Sequence, residues 1–206
     1  MARPPSIDEE LDDVQLVLNV KSVGLTDDQF AELCSENSDV NFEMTAQGEL
    51  LILSPTYSET GWRNSKITQR LANWADADGT GLCFDSSALF NLPNGAKRAP
   101  DAAWISKRRW SLVPADRRKK FAPICPDFVI ELRSGSDRLQ RIRAKMDEYI
   151  SNGTQLGWLL DTIANRAYIY RPGCAVEEIE SPGILRGDPV LPDFEFNFSG
   201  ILHLPE

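Results

Sequence analysis

The alternation of apolar and polar positions divides the chain into short strands and three helical stretches. The run LVLNVKSVGLTDDQFAELCSEN, between Gln15 and Asn37, reads as a short strand followed by a helix. Thr26 is its expected cap, because a hydroxyl there can accept from the free amides of the first turn. DVNFEMTAQGELLILSP reads as two strands joined around Ala46, Gln47 and Gly48. In YSETGWRNSKITQRLANWADADGTG, residues Ile67, Leu71, Trp74 and Ala75 fall on one face at helical spacing, with Ser58 as expected N-cap and Gly79 and Gly81 as the stop. LCFD and SALFNLPNG are strand-like runs ending in a Pro-Asn-Gly turn, and RAPDAAWIS is a strand opened by Pro100. KRRWSLVPADRRKKFAP reads as a polar, basic connection. PDFVIELR predicts a strand, SGSDRLQRIRAKMDEYISNG a helix capped by Ser136 and stopped by Gly153, and LGWLLD and RAYIYR two further strands.

This order predicts an α/β fold, a mixed β-sheet flanked by helices with an N-terminal hairpin extension. Residues 1–13, with Pro4, Pro5 and the run D-E-E-L-D-D, read as a flexible acidic tail. That leaves 14–206 as a single domain, long enough to bury its own core at 42% hydrophobic composition.

Charge changes this picture. The net charge of -9 argues against a protein that coats nucleic acid or anionic membrane over its whole surface. The window from Lys97 to Lys145 nevertheless holds 14 of the 22 basic residues against five acids. It is either a solvated loop and helix face or a surface that tracks phosphates, with Arg117, Arg118, Lys119 and Lys120 as its densest run. The one histidine, His203, lies near the end of the chain, which disfavours a Ser-His-Asp triad, a Cys-His dyad or a His-rich zinc site. Cys34, Cys83, Cys125 and Cys174 form no C-x-x-C pair and suggest neither a zinc ribbon nor a disulfide framework. With no signal-like segment and no long apolar run, the expectation is a soluble, cytoplasmic protein with no membrane partner.

The candidate chemistry lies in the basic window. Strand alternation puts Val129, Glu131 and Arg133 on one face of PDFVIELR and Phe128, Ile130 and Leu132 on the other. Glu131 is thus an ionisable group in an apolar strand, and Asp101 opens another apolar run with Ala103 and Ile105 as its alternating partners. If the two strands are neighbours the carboxylates converge, and two such groups repel unless a proton or a hard cation such as Mg2+ or Mn2+ lies between them. The bland alternative ties Glu131 to an arginine and leaves Asp101 capping a turn.

Helix positions add cations. Lys145 flanks the stripe Leu139, Ile142, Met146 and Ile150, beside Arg138 and Tyr149, where its ammonium either snorkels or reaches the strand mouth. Partial desolvation there could tune its pKa towards neutrality. Glu59, Arg63, Lys66 and Arg70 share one ridge of the first long helix; Glu59 either pairs with Arg63 or offers the metal a third oxygen.

At these residues the chain resembles the PD-(D/E)XK nuclease superfamily, and within it the Uma-two branch of restriction-endonuclease-like proteins. The likeness runs from Phe42 to Leu202 through FEMTAQGELLILSPT, ETGWRNSKI, LPNGAKRAPDAAW, CPDFVIELRSGSD, KMDEYISNGTQLGWLLD and YIYRPG. It implies a restriction-endonuclease-like fold and hydrolysis of DNA phosphodiesters dependent on Mg2+ or Mn2+. It also implies Asp101 and Glu131 as metal ligands and catalytic acids, with Glu59 as a helix-borne acid. The chain departs from the superfamily pattern two residues after Glu131, where Arg133 stands in place of lysine. The branch's K-x-x-x-Y pattern assigns that role to Lys145. A guanidinium cannot act as a base but suits phosphate, so Arg133, Arg63, Lys66 and Arg138 are the expected nucleic-acid contacts. A homodimer is expected from two-fold cutting of duplex DNA. The competing class is a non-catalytic nucleic-acid-binding or assembly module on the same fold. A glycosidase reading has only Trp104 and Trp110 as a sugar platform.

Overall fold

The computed structural model describes residues 14–135 and 137–204, so the expected acidic tail and the Ser136 cap lie outside the described residues. The first helix, α1 (Asp27–Glu36), begins where the sequence places it. Thr26 Oγ1 accepts from Gln29 N at 3.2 Å and Gln29 Oε1 accepts from Thr26 N at 2.9 Å, a reciprocal capping box. Strand β1 (Val14–Asn19) precedes it, and the hairpin β2 (Asn41–Met44) and β3 (Glu49–Leu53) follows. Gly48 closes that hairpin at a φ of 82°, a conformation that favours a residue without a Cβ. Helix α2 (Ser58–Asp78) takes in its expected cap, Ser58, as its first residue. Tyr57 occupies the N-cap instead and makes no side-chain cap bond.

Gly79, at a φ of 71°, ends α2 by donating its N–H to Ala75 O. Gly81, also expected to belong to the stop, instead opens β4 (Gly81–Asp85). A Cβ there would lie 2.1 Å from Trp104 Cε2, so the glycine is required by close packing. The Pro-Asn-Gly turn joins β5 (Phe90–Asn91) to β6 (Lys97–Arg98), and this small hairpin adds to the N-terminal one. Together they form a five-stranded sheet in the order β1-β3-β2-β6-β5.

The remaining strands of the central layer are β7 (Ala102–Ser106), β8 (Phe128–Arg133), β9 (Leu156–Asp161), β10 (Arg166–Tyr170) and β11 (Glu177–Glu180). With β4 they form a six-stranded sheet ordered β11-β10-β9-β8-β7-β4. The basic connection between β7 and β8 carries a short helix α3 (Lys107–Trp110) and a 3-10 turn at Arg117–Lys119. Among the described strand pairs of this sheet only β8 and β9 run parallel, which requires a crossover; helix α4 (Leu139–Ser151) provides it. A third, two-stranded sheet of β12 (Ile184–Arg186) and β13 (Glu195–Asn197) completes the described residues.

The central sheet buries both faces. Phe128, Ile130 and Leu132 pack with Ile67, Leu71 and Ala75 of α2 and with Phe194, Phe196 and Phe198 of the C-terminal segment. Val129 faces the other way, against Ile142, Met146 and Tyr149 of α4. Each such side chain taken fully out of water contributes about 1.5–3 kcal/mol. Glu131 shares the α4 face by alternation. Among the described residues no helix is long and apolar enough to cross a membrane.

Candidate active site

Two neighbouring strands set the carboxylates. In the antiparallel pair of β7 and β8, Ala103 lies opposite Val129 and Ala102 opposite Ile130. Continuing that register by one residue puts Asp101 across from Glu131. Both Asp101 oxygens are fixed: Oδ2 accepts from Leu132 N at 2.7 Å and Oδ1 from Asn64 Nδ2 of α2 at 2.7 Å. Glu131 is only 7% exposed, and its Oε1 accepts from Tyr149 OH of α4 at 2.9 Å.

One turn before Tyr149, Lys145 reaches the same carboxylate. Its Nζ lies 2.9 Å from Glu131 Oε1, 2.9 Å from Glu43 Oε1 and 3.2 Å from Ala99 O. Glu43, on β2, also accepts from Ala99 N and from Arg98 Nη1, each at 3.0 Å. Arg98 Nε in turn lies 2.6 Å from Glu148 Oε2. Three acids and two cations thus form one buried chain of contacts, Glu131, Lys145, Glu43, Arg98 and Glu148.

The acids in this chain are not equivalent. Burial, with Asp101 and Glu43 nearby, pushes Glu131 up to about 8 despite the Lys145 ammonium. Burial also raises Asp101, against the opposing pull of the Leu132 amide, Lys145 and Asn64. Burial disfavours ionised Glu43 as well, but Lys145 and Arg98 outweigh it and hold that carboxyl below its ordinary value. Lys145 moves opposite to the sequence expectation. Desolvation favours its neutral form, yet Glu131 and Glu43 overcome it and raise the pKa, so the side chain is a fixed ammonium.

These groups line a cleft of about 640 Å3 that also takes in the hairpin strands β2 and β3 and the first half of α4. Asp101, Glu131, Lys145 and Arg138 of the expected site residues line it. The others are placed elsewhere. Glu59 is 52% exposed and its Oε1 lies 2.6 Å from Arg63 Nη2, so it is not brought to the cleft. Arg63 donates to Ile201 O at 2.7 Å and Leu202 O at 3.0 Å, and Arg70 to Asn197 O at 2.7 Å. Their ridge therefore clamps the C-terminal segment, while Lys66 donates to Gln69 of its own helix. Arg133 lies 2.9 Å from the fully buried Asp161, its ion-pair partner. In the basic connection, Arg117 and Lys120 pair with Asp27 and Asp28 of α1, and Arg118 donates to Val113 O and Ser111 O.

Sequence reasoning missed Glu43, Arg98, Glu148 and Asn64. Glu43 carries the signal that exposed Glu131, an acid between apolar neighbours in a strand. Asn64 lies three residues before Ile67 and seven before Leu71, hence on the buried stripe of α2, where a carboxamide is out of place.

Among the described residues no group of three or more His, Cys, Asp and Glu could hold a metal ion. The donor chemistry still suits a divalent ion. Asp101 and Glu131 offer hard oxygens only, both are raised by burial, and each is held in place by hydrogen bonds. A cation between them would relieve the cost of ionising both.

Comparison with known proteins bears on the fold and the family. One of the solved structures with a matching fold is a "putative nuclease belonging to DUF820" from Anabaena variabilis ATCC 29413. It has 18% sequence identity and a TM-score of 0.72, over 86% of this chain and 97% of that one. None of the curated proteins matches. The family model described as "Uma2: Putative restriction endonuclease" matches residues 27–199. On that match, which spans every element from α1 to β13, the chain belongs to the Uma2 family.

Proposed function

We propose that this chain hydrolyses DNA phosphodiester bonds with a divalent metal ion, Mg2+ or Mn2+, held by Asp101 and Glu131. The observation that supports it most strongly is the placement of Lys145 Nζ 2.9 Å from Glu131 Oε1, with Asp101 across the strand pair in the same cleft. When bound, such an ion polarises the phosphoryl oxygen and lowers the pKa of a coordinated water. The chain's own groups do the rest. Asn64 and the Leu132 amide orient Asp101, and Tyr149 orients Glu131. Lys145, kept cationic by Glu131 and Glu43, offsets charge that develops on the phosphate. Arg138 and Arg141 line the cleft and supply the phosphate contacts. Arg63 and Arg133 have no part in nucleic-acid binding on this reading, because their guanidiniums serve carbonyls and Asp161. A two-fold dimer would present one such site to each strand of a duplex. Incubation of plasmid and short duplexes with Mn2+ or with EDTA tests the reading. Strand breaks that require Mn2+ and vanish in Asp101→Asn and Glu131→Gln are expected; equal breakage by both variants would overturn it.

A second reading, a non-catalytic binding module, is favoured by one observation. Lys145 and Arg98 already pair with Glu131, Glu43 and Glu148, which gives a cluster whose acids all have partners without an ion. Melting in millimolar Mn2+ separates the readings, because an ion bound only by the folded state raises the midpoint.

A further inference from the structure

We propose that Asn64 is itself part of the metal site, its Oδ1 contributing the neutral oxygen that completes the ligand set for a hard divalent cation. The inference rests on the metal-dependent reading above and adds a residue to it. Its starting point is the carboxamide's orientation. Asn64 Nδ2 lies 2.7 Å from Asp101 Oδ1. Nδ2 is the donor end of that bond, so Oδ1 is the carboxamide's remaining acceptor.

That oxygen is buried and, among the described residues, has no hydrogen-bond partner. An acceptor left in this state is destabilising, and native structures retain few without a reason. Asn64 lines the same cleft as Asp101, Glu131 and Lys145. The orphan acceptor therefore belongs to a residue already bound to one candidate metal ligand. A metal ion is also the ligand best matched to a confined oxygen. Mg2+ binds oxygen at about 2.0–2.1 Å, against about 2.7–2.8 Å for a hydrogen bond from water.

The choice of an amide has an electrostatic logic. Asp101 and Glu131 already bring two carboxylates to the cleft, and Glu43 shares Lys145 with Glu131. A further carboxylate would deepen that repulsion, whereas a carboxamide adds an oxygen without a charge. Glu59, the acid assigned to this task from the sequence, is half exposed and paired with Arg63.

Titration calorimetry with Mn2+ alone tests the proposal on the wild type, Asn64→Ala, Asn64→Asp and Glu59→Gln. Asn64→Ala should weaken Mn2+ binding at least tenfold. Asn64→Asp, which keeps an oxygen in place, should bind Mn2+ within a few-fold of the wild type while melting lower in EDTA. Glu59→Gln should bind as the wild type does. The proposal is overturned if Asn64→Ala binds normally, or if Asn64→Asp loses as much as Asn64→Ala, since the amide would then only position Asp101. Asn64→Asp decides the matter on its own should Asn64→Ala fail to fold. Absence of Mn2+ binding by the wild type would remove the metal-dependent reading and this inference with it, a result distinct from a defect confined to the Asn64 variants.

Discussion

Lys145 is the residue on which the site's electrostatics turn. Its ammonium lies between two glutamates that are almost inaccessible to solvent, so removing it leaves both without their nearest cation. Lys145→Met should destabilise the fold by about 3–5 kcal/mol at neutral pH, as breaking a buried ion pair does. The loss should shrink in acid, where the glutamates take up protons, and urea denaturation at two pH values would show it. Turnover should fall by roughly 10²-fold, the loss that follows removal of one group that stabilises transition-state charge. Glu131 makes an independent pH prediction. Its folded pKa of about 8 lies above its ordinary 4.5, so in EDTA the folded state holds a proton that the unfolded state releases. Stability from this group is full below about pH 4.5 and is lost as pH rises to about 8. Glu131→Gln should flatten the melting profile across that window; an unchanged slope would assign the pH dependence to other groups. Asp101 and Glu131 were legible in the sequence because an acid in an apolar strand is conspicuous. Lys145 was placed at the strand mouth by its position on the helix, but Glu43 was not, because it lies 102 residues from Lys145 in the chain and only the fold brings the two together in the cleft.

Among the elements, two glycines make opposite predictions. Gly81→Ala should destabilise by about 1–3 kcal/mol, because its Cβ would meet the Trp104 indole. Gly61 lies within α2 with open space around its missing Cβ, so Gly61→Ala should stabilise by about 0.4–1 kcal/mol. Denaturant midpoints of the pair would check both signs. The strong periodicities of α1, α2, α4, β8, β9 and β10 were readable because each stripe meets a continuous apolar partner. Strands β11, β12 and β13 escaped the reading because their alternation is carried by three or four residues each, mostly exposed. The ridge of Glu59, Arg63, Lys66 and Arg70 was located correctly along the helix, but its use was not. Its arginines meet backbone carbonyls of the C-terminal segment, groups that carry no sequence signature.

At the scale of the whole molecule, the concentration of basic residues between Lys97 and Lys145 is partly consumed internally. Lys97, Arg98, Arg109, Arg117, Lys120, Arg133 and Lys145 all have acidic partners within the chain. Arg138 and Arg141, from the same window, line the cleft beside the acids. Because both line the cleft, charge reversal at Arg138 and Arg141 should lower the slope of log K against log salt for DNA binding by about 0.9 for each phosphate that is no longer neutralised. Reversal of Arg117 and Lys120, which pair with Asp27 and Asp28 at the surface, should leave the slope nearly unchanged. The most direct test of the central claim is the single-turnover cleavage rate of end-labelled DNA as Mn2+ is titrated into wild type and Asp101→Asn. A rate that rises to saturation with Mn2+ in the wild type and stays at background in Asp101→Asn is the predicted result. Cleavage by Asp101→Asn with the wild-type rate and Mn2+ dependence would contradict it.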